Sequence, residues 1–158
     1  MAKVLLGFMG AGKSTIARRL DPDYIDMDAL IEEHLGMSIA DFFAEKGEVA
    51  FRQVESEVLA DLLKTDRVVS TGGGVVISQR NRDLLKTNPD NIYLKADFET
   101  LYQRIAADKD NQRPLFLNKS KEELARIFQE RRTWYEEVAS RILDVTKLSP
   151  EEIIEELR

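Results

Sequence analysis

Short apolar runs alternate along this chain with longer stretches in which apolar residues recur every three or four positions. Residues 3–8 read as a buried strand closed at Gly7, and residues 13–20 as a helix that stops near Asp21-Pro22. Tyr24, Ile25 and Asp26 make a second short strand. Helices are predicted from Met27 to His34 with Gly36 as the stop, from Ser38 to Lys46, and from Glu48 to about Lys64. Arg67 to Thr71 is a third strand, which runs into Gly72-Gly73-Gly74. A helix over 78–87 ends at Asn88-Pro89, Asn91 to Lys95 is a fourth strand, and a helix covers roughly 97–107. Residues 108–118 are polar and read as a loop. A long helix spans 120–138, Ile142 to Val145 is the last strand, and Ser149-Pro150-Glu151-Glu152 starts a final helix. This alternation predicts an α/β fold with a parallel sheet. No repeat, linker or low-complexity tract interrupts it, so 1–158 reads as one domain.

The junction of the first strand and helix carries the clearest chemistry. Gly7-Phe8-Met9-Gly10-Ala11-Gly12-Lys13-Ser14-Thr15 has the spacing G-x-x-x-x-G-K-S of a phosphate-binding P-loop. Backbone N–H groups of such a loop converge on one point, and the positive end of the following helix adds to them. Gly10, Ala11, Gly12, Lys13, Ser14 and Thr15 are therefore the candidate nucleotide-binding set. Lys13 is placed to reach the β- and γ-phosphates and the Ser14 hydroxyl to hold Mg²⁺. The fingerprint G-x-G-x-x-G is absent, which argues against NAD or FAD.

Composition narrows the classes further. The 158 residues suffice for a sizeable core, and 43% hydrophobic with 33% charged residues is globular composition. A net charge of −6 gives no support to a nucleic-acid binder. There is no cysteine, and His34 is the only histidine, so thiolate and histidine-cluster metal sites and a Ser-His-Asp triad are disfavoured. The N-terminus lacks a signal-peptide pattern and no apolar run approaches membrane-span length, so a soluble, cytoplasmic, monomeric protein is the default expectation.

Charged residues stand where the helical pattern wants apolar ones. In the helix from Glu48, Phe51, Val54, Val58, Leu59 and Leu62 share a face, Glu55 falls inside that stripe, and Arg52 flanks it three residues away. This is either an ion pair at the edge of the stripe or an arginine held by a carboxylate over a polar cleft. In the helix 120–138, Arg131 sits inside the stripe of Leu124, Ile127, Phe128, Tyr135 and Val138. An unpaired buried charge is very costly, so Arg131 should face an anion. Two arginines in one cleft suit a carboxylate or phosphate, whose geometry the guanidinium fork matches.

Asp26-Met27-Asp28 follows a strand, where residues i and i+2 share a face while the chain stays extended. The pair can serve Mg²⁺ and an acceptor hydroxyl, or one of them can simply cap the next helix. The triple glycine allows close approach of a ligand to the backbone. Ser70 or Thr71 stands where an ordinary Walker B aspartate would end the strand. Arg113, in the polar loop, is either a solvated side chain or an internal arginine finger over the γ-phosphate.

Taken in order, G-F-M-G-A-G-K-S-T at 7–15, I-D-M-D at 25–28, F-R-Q-V-E at 51–55, S-T-G-G-G at 70–74, R-P-L at 113–115 and E-R-x-x-x-Y at 130–135 make the chain resemble the shikimate kinases over essentially its whole length. The resemblance implies a nucleoside-monophosphate-kinase-like, three-layer α/β/α fold with a five-stranded parallel sheet. It implies transfer of phosphate from MgATP to the 3-hydroxyl of shikimate in aromatic amino-acid biosynthesis. By matching motif, Ser14 binds Mg²⁺ directly and Asp26 through water, and Asp28 bonds the substrate hydroxyls as candidate base. Arg52 and Arg131 bind the shikimate carboxylate, Glu55 holds Arg52, and Gly72, Gly73 and Gly74 back the ring. The substrate-binding helical segment is then about 28–60, and 108–118 is the lid that carries Arg113. Arg104 is the choice for the adenine-contacting arginine. Three features depart from the family pattern: the stretch before Ile25 is short, Thr133-Trp134 replaces proline-leucine, and the arginine before the lid is hard to align.

Rival classes fare less well. Another small-molecule kinase of this fold, such as a gluconate kinase, has no need of Arg52 and Arg131 beside a triple glycine. A GTPase needs N-K-x-D, but Asn118-Lys119-Ser120-Lys121 lacks the aspartate. A catalytically dead relative is not indicated, because Lys13, Asp28, Arg113 and Arg131 are all present.

Overall fold

In the computed structural model, which describes residues 1–107 and 119–157, every predicted strand and helix in those spans is present. The strands are β1 Lys3–Leu6, β2 Ile25–Asp26, β3 Val68–Ser70, β4 Asn91–Lys95 and β5 Arg141–Asp144. The helices are α1 Lys13–Leu20, α2 Met27–Leu35, α3 Ile39–Lys46, α4 Glu48–Leu62, α5 Gln79–Lys86, α6 Phe98–Ala107, α7 Lys121–Val138 and α8 Pro150–Leu157. All strand pairs among the described residues are parallel, in the order β2-β3-β1-β4-β5.

That order dictates the layers. The chain steps one way from β1 to β2 and the other way in every later crossover. Right-handed crossovers therefore put α1 on one face of the sheet and α4, α5 and α7 on the other. The packing follows suit: α1 lies on α8, and α5 lies between α4 and α7. Val4, Leu5 and Leu6 of the central strand are fully buried, as a strand covered on both faces requires. The carboxyl ends of β1 and β3, where the order reverses, form the crevice in which ligands of such sheets bind.

Local signals set the element ends. Ser38, Ser78 and Ser120 cap α3, α5 and α7 with their hydroxyls, and Ser120 with Glu123 forms a full capping box. α2 begins at Met27 as predicted, so the chain is not extended through Asp28 and the capping alternative holds for the first of the two carboxylates. Asp26 is the cap of α2, its Oδ1 accepting from the Ala29 N–H at 3.2 Å, and Asp28 lies in the first helical turn. The helix start now accounts for where the two carboxylates stand, in place of strand alternation.

Candidate active site

The P-loop leaves β1 and enters α1 through Gly10 and Gly12, with φ of 86° and 87°. Only glycine adopts these values without strain, and they turn the loop back on itself. Lys13 folds over it, its Nζ donating to Gly7 O at 2.6 Å and Phe8 O at 3.2 Å. The Ser14 and Ser70 hydroxyls lie 3.2 Å apart, so Ser70 holds the strand-end place where a Walker B aspartate is usual.

Facing the loop across a cleft of about 730 Å³ is the triple glycine. None of its glycines has positive φ, so conformational freedom is not why they are there. Space is the reason at Gly72 and Gly74, whereas a Cβ on Gly73 would meet its neighbours at ordinary contact distance. A Cβ on Gly72 would lie 2.6 Å from Asp28 Oδ1, one on Gly73 would lie 3.5 Å from Arg131 Nη1, and one on Gly74 would lie 3.1 Å from Arg52 Nη2. Successive glycines thus seat three charged side chains delivered by α2, α7 and α4.

Each of these side chains is held. Arg52 Nη1 donates to Glu55 Oε1 at 2.9 Å, Glu55 Oε2 at 3.1 Å and Gly74 O at 3.0 Å. Glu55 is buried as its place in the stripe predicted, and burial raises its pKa while Arg52 pulls it back. Arg131 is half-buried, 5.8 Å over the Phe8 ring, and forms no ion pair among the described residues. Burial lowers its pKa, and the neighbouring Tyr135 offsets that in part. Beside it, the buried Tyr135 hydroxyl donates to Gly73 O. Burial raises the pKa of Asp28, and the neighbouring Asp26 raises it further against the pull of Lys13.

Of the predicted residues, Gly10, Gly12, Lys13, Ser14, Thr15, Asp26, Asp28, the three glycines, Arg104 and Arg131 all line this cleft. Arg52 is not among the lining residues but stands behind Gly74, bonded to its carbonyl, and Ala11 is buried beneath the loop. Arg104 Nη1 stands 3.5 Å from Gly10 O. Arg113 and the proposed lid 108–118 lie outside the described residues. His34 is exposed, as expected. A second cavity of about 570 Å³, between the β4–α6 and β5–α8 turns and α7, contains none of the candidates.

Sequence reasoning missed Ser56 and Asn81, both buried behind Glu55, and Arg82, which clamps Val76 O and Ile77 O and stacks on Trp134 at 4.8 Å. Asn81 precedes the buried Leu85 by one helical turn. It therefore shares the buried face of α5 with Leu85, a weaker form of the signal that marked Glu55 and Arg131.

The oxygen donors Ser14, Asp26, Asp28 and Ser70 around the cleft suit a hard cation. Among the described residues no group of three or more His, Cys, Asp or Glu forms a closed metal cage. That leaves room for an ion held partly by phosphates and water.

A P-loop opposed by a carboxylate and two arginines defines a phosphotransferase acting on a small anionic acceptor. The comparisons narrow this. The family model described as shikimate kinase matches residues 9–158. A shikimate kinase of Streptococcus gordonii is 54% identical over 159 residues, covering 100% of this chain and 99% of that protein. One of Enterococcus faecalis is 46% identical over 158 residues, covering 98% and 94%. Among solved structures, shikimate kinase from Acinetobacter baumannii in complex with shikimate is similar at 32% identity and a TM-score of 0.87, covering 99% of this chain and 89% of that one. The chain belongs to the shikimate kinase family, whose members use ATP as co-substrate. No described helix is long and apolar enough to cross a membrane.

Proposed function

We infer that this protein transfers the γ-phosphoryl group of ATP to the 3-hydroxyl of shikimate. The observation that carries the reading is the row of Asp28, Arg131 and Arg52 over Gly72, Gly73 and Gly74, opposite the P-loop. A planar carboxylate fits between two guanidinium groups, and a hydroxyl fits beside Asp28.

In this reading the amides of Gly10, Ala11, Gly12, Lys13, Ser14 and Thr15 cradle the phosphates, and Arg104 flanks the adenosine. When nucleotide enters, the Lys13 ammonium exchanges Gly7 O and Phe8 O for phosphate oxygens. Ser14, and Asp26 through water, would hold Mg²⁺, which would supply charge to neutralise the phosphates. Arg52 and Arg131 fix the acceptor's carboxylate, which directs its 3-hydroxyl toward the γ-phosphate. As the new O–P bond forms, the bond from γ-phosphorus to the bridging oxygen breaks and ADP departs. The hydroxyl proton passes to Asp28, whose raised pKa makes it a better base than an ordinary surface carboxylate. Arg113, on a lid of residues 108–118, supplies further positive charge and limits transfer to water.

We read 1–158 as one domain, with residues 28–60 as the acceptor-binding segment, and the enzyme as a cytoplasmic monomer. A gluconate kinase reading is weaker, because it leaves the paired arginines without a purpose.

A coupled ADP-release assay tests the function. Turnover with shikimate and none with gluconate is expected. Asp28→Asn and Arg131→Ala should each abolish useful turnover while ATP still binds. Wild-type-like rates in both variants would overturn the site assignment.

A further inference from the structure

Behind Arg52 lies an enclosed polar knot that the reaction does not touch. Asn81, on the first turn of α5, is 0% exposed. Its Nδ2 donates to Glu55 Oε1 at 2.8 Å and to Val75 O at 2.9 Å, and its Oδ1 accepts from the Ser56 hydroxyl. Turned over, the amide would set its oxygen against a carboxylate and a carbonyl, so only one orientation satisfies the set. Glu55 in turn grips Arg52 by Nη1 alone, and the buried Arg52 Nε has no hydrogen-bond partner among the described residues. Glu48 Oε1 stands 3.7 Å from that Nε, so with Nη1 bonded and Nε facing Glu48 the guanidinium keeps Nη2 for an anion.

We propose that Asn81 is a positioning residue of the acceptor site, acting through Glu55 to fix the direction in which Arg52 presents its guanidinium. The inference rests on the reading that Arg52 binds the shikimate carboxylate. Asn81 also ties this pair to the triple-glycine segment, since Val75 follows Gly74 directly. One buried amide thereby sets the arginine and its glycine seat in register.

The charges around Glu55 make this role visible in pH. Arg52 on α4 lowers its pKa, Asp28 on α2 raises it, and the Asn81 amide lowers it against the dominant effect of burial. Beyond Arg52 stand Glu48 on α4 and Arg131 on α7. Without the Asn81 donor, Glu55 takes up its proton at higher pH and releases Arg52 there.

The test is steady-state kinetics of the full-length enzyme, varying each substrate from about pH 5.5 to about pH 8.5. For Asn81→Ala, the shikimate KM should rise about ten-fold. That rise should steepen toward acid, with the ATP KM within about two-fold of wild type. A uniform rise in both KM values at every pH means general loosening of the fold and overturns the proposal, as does an unchanged shikimate KM. Ser56→Ala frees the Asn81 amide without removing it. It should raise the shikimate KM in the same acid-steepened manner but less, and it decides the question if Asn81→Ala does not fold. Arg52→Ala separates the two levels of inference. If it leaves the shikimate KM unchanged, the acceptor-site reading itself falls. If it raises that KM while the Asn81 and Ser56 variants do not, the positioning role alone falls.

Discussion

Gly72 and Asp28 are packed so closely that no side chain fits between them: a Cβ on Gly72 would stand 2.6 Å from one carboxylate oxygen and 2.8 Å from the other. Gly72 is not in the left-handed region that favours glycine, so alanine there would act by displacing Asp28. A shift of about 1 Å in a reacting group can cost on the order of a hundred-fold in rate. Gly72→Ala should therefore lower kcat for shikimate about a hundred-fold and leave ATP affinity unchanged. Steady-state kinetics beside a nucleotide-binding titration measures both, and a near-normal kcat would remove Asp28 from the reacting centre.

Tyr135 joins Arg131, the proposed acceptor arginine, to Gly73. Its hydroxyl donates to Gly73 O, and its buried ring stacks on Tyr93 with centroids 5.0 Å apart. Tyr135→Phe keeps the packing and removes only the hydroxyl. Loss of such a bond costs about 1 kcal/mol, so urea unfolding should show a decrease of that order. Arg131 loses a neighbour that helps aim it, and the shikimate KM should rise several-fold with kcat less affected. Equal KM values in the two proteins would show that Arg131 is aimed by other contacts.

Glu55 makes a signed prediction for stability. Its pKa is raised by burial in the folded protein, so between its ordinary value of 4.5 and the raised value the native state holds more protons than the unfolded chain. Its contribution is fully present below about pH 4.5 and declines as pH rises through the folded pKa. Glu55→Gln removes that decline. The Tm of the Gln variant minus that of wild type should therefore increase with pH across this window and then level off. A difference that is constant with pH would mean that Glu55 has no raised pKa to contribute.

Most of the fold was legible because strand-helix alternation and capping serines are local signals, and the sheet order follows chirality rules once the strands are known. The P-loop was legible because its spacing is its mechanism. Glu55 and Arg131 stood out as charges inside apolar stripes. The reason for the triple glycine was legible only in part. Close approach of a ligand to the backbone was the sequence reading; what it could not supply is that Gly72 and Gly74 also leave room for Asp28 and Arg52, which arrive from two other helices. The link from Asn81 to Glu55 crosses 26 residues, and no local pattern encodes a partner at that distance. Of the two readings of Asp26 and Asp28, strand alternation fails because a helix starts between them, and helix capping holds for Asp26. Trp134, a departure from the family pattern, stacks on Arg82, which binds the backbone just beyond the glycines.

The hydroxyl pair Ser14 and Ser70 yields the last prediction. Ser70 ends β3 at the site where many P-loop proteins place a carboxylate, and its Oγ is 3.2 Å from the Oγ of Ser14. A serine that ligates Mg²⁺ must point a lone pair at the ion, and a neighbouring hydroxyl that shares a hydrogen bond with it restricts its rotation. Ser70 is 3% exposed, so water does not readily substitute for it. Ser70→Ala should raise the Mg²⁺ concentration for half-maximal activity about five-fold, as expected for one lost neutral hydrogen bond. The shikimate KM should stay within about two-fold, because Arg131, proposed to bind the carboxylate, is on α7 rather than on β3 or the P-loop. Titrating Mg²⁺ at fixed ATP and saturating shikimate measures the effect. An unchanged Mg²⁺ requirement would reduce the Ser14–Ser70 contact to simple packing and leave Asp26 as the residue that orients the ion.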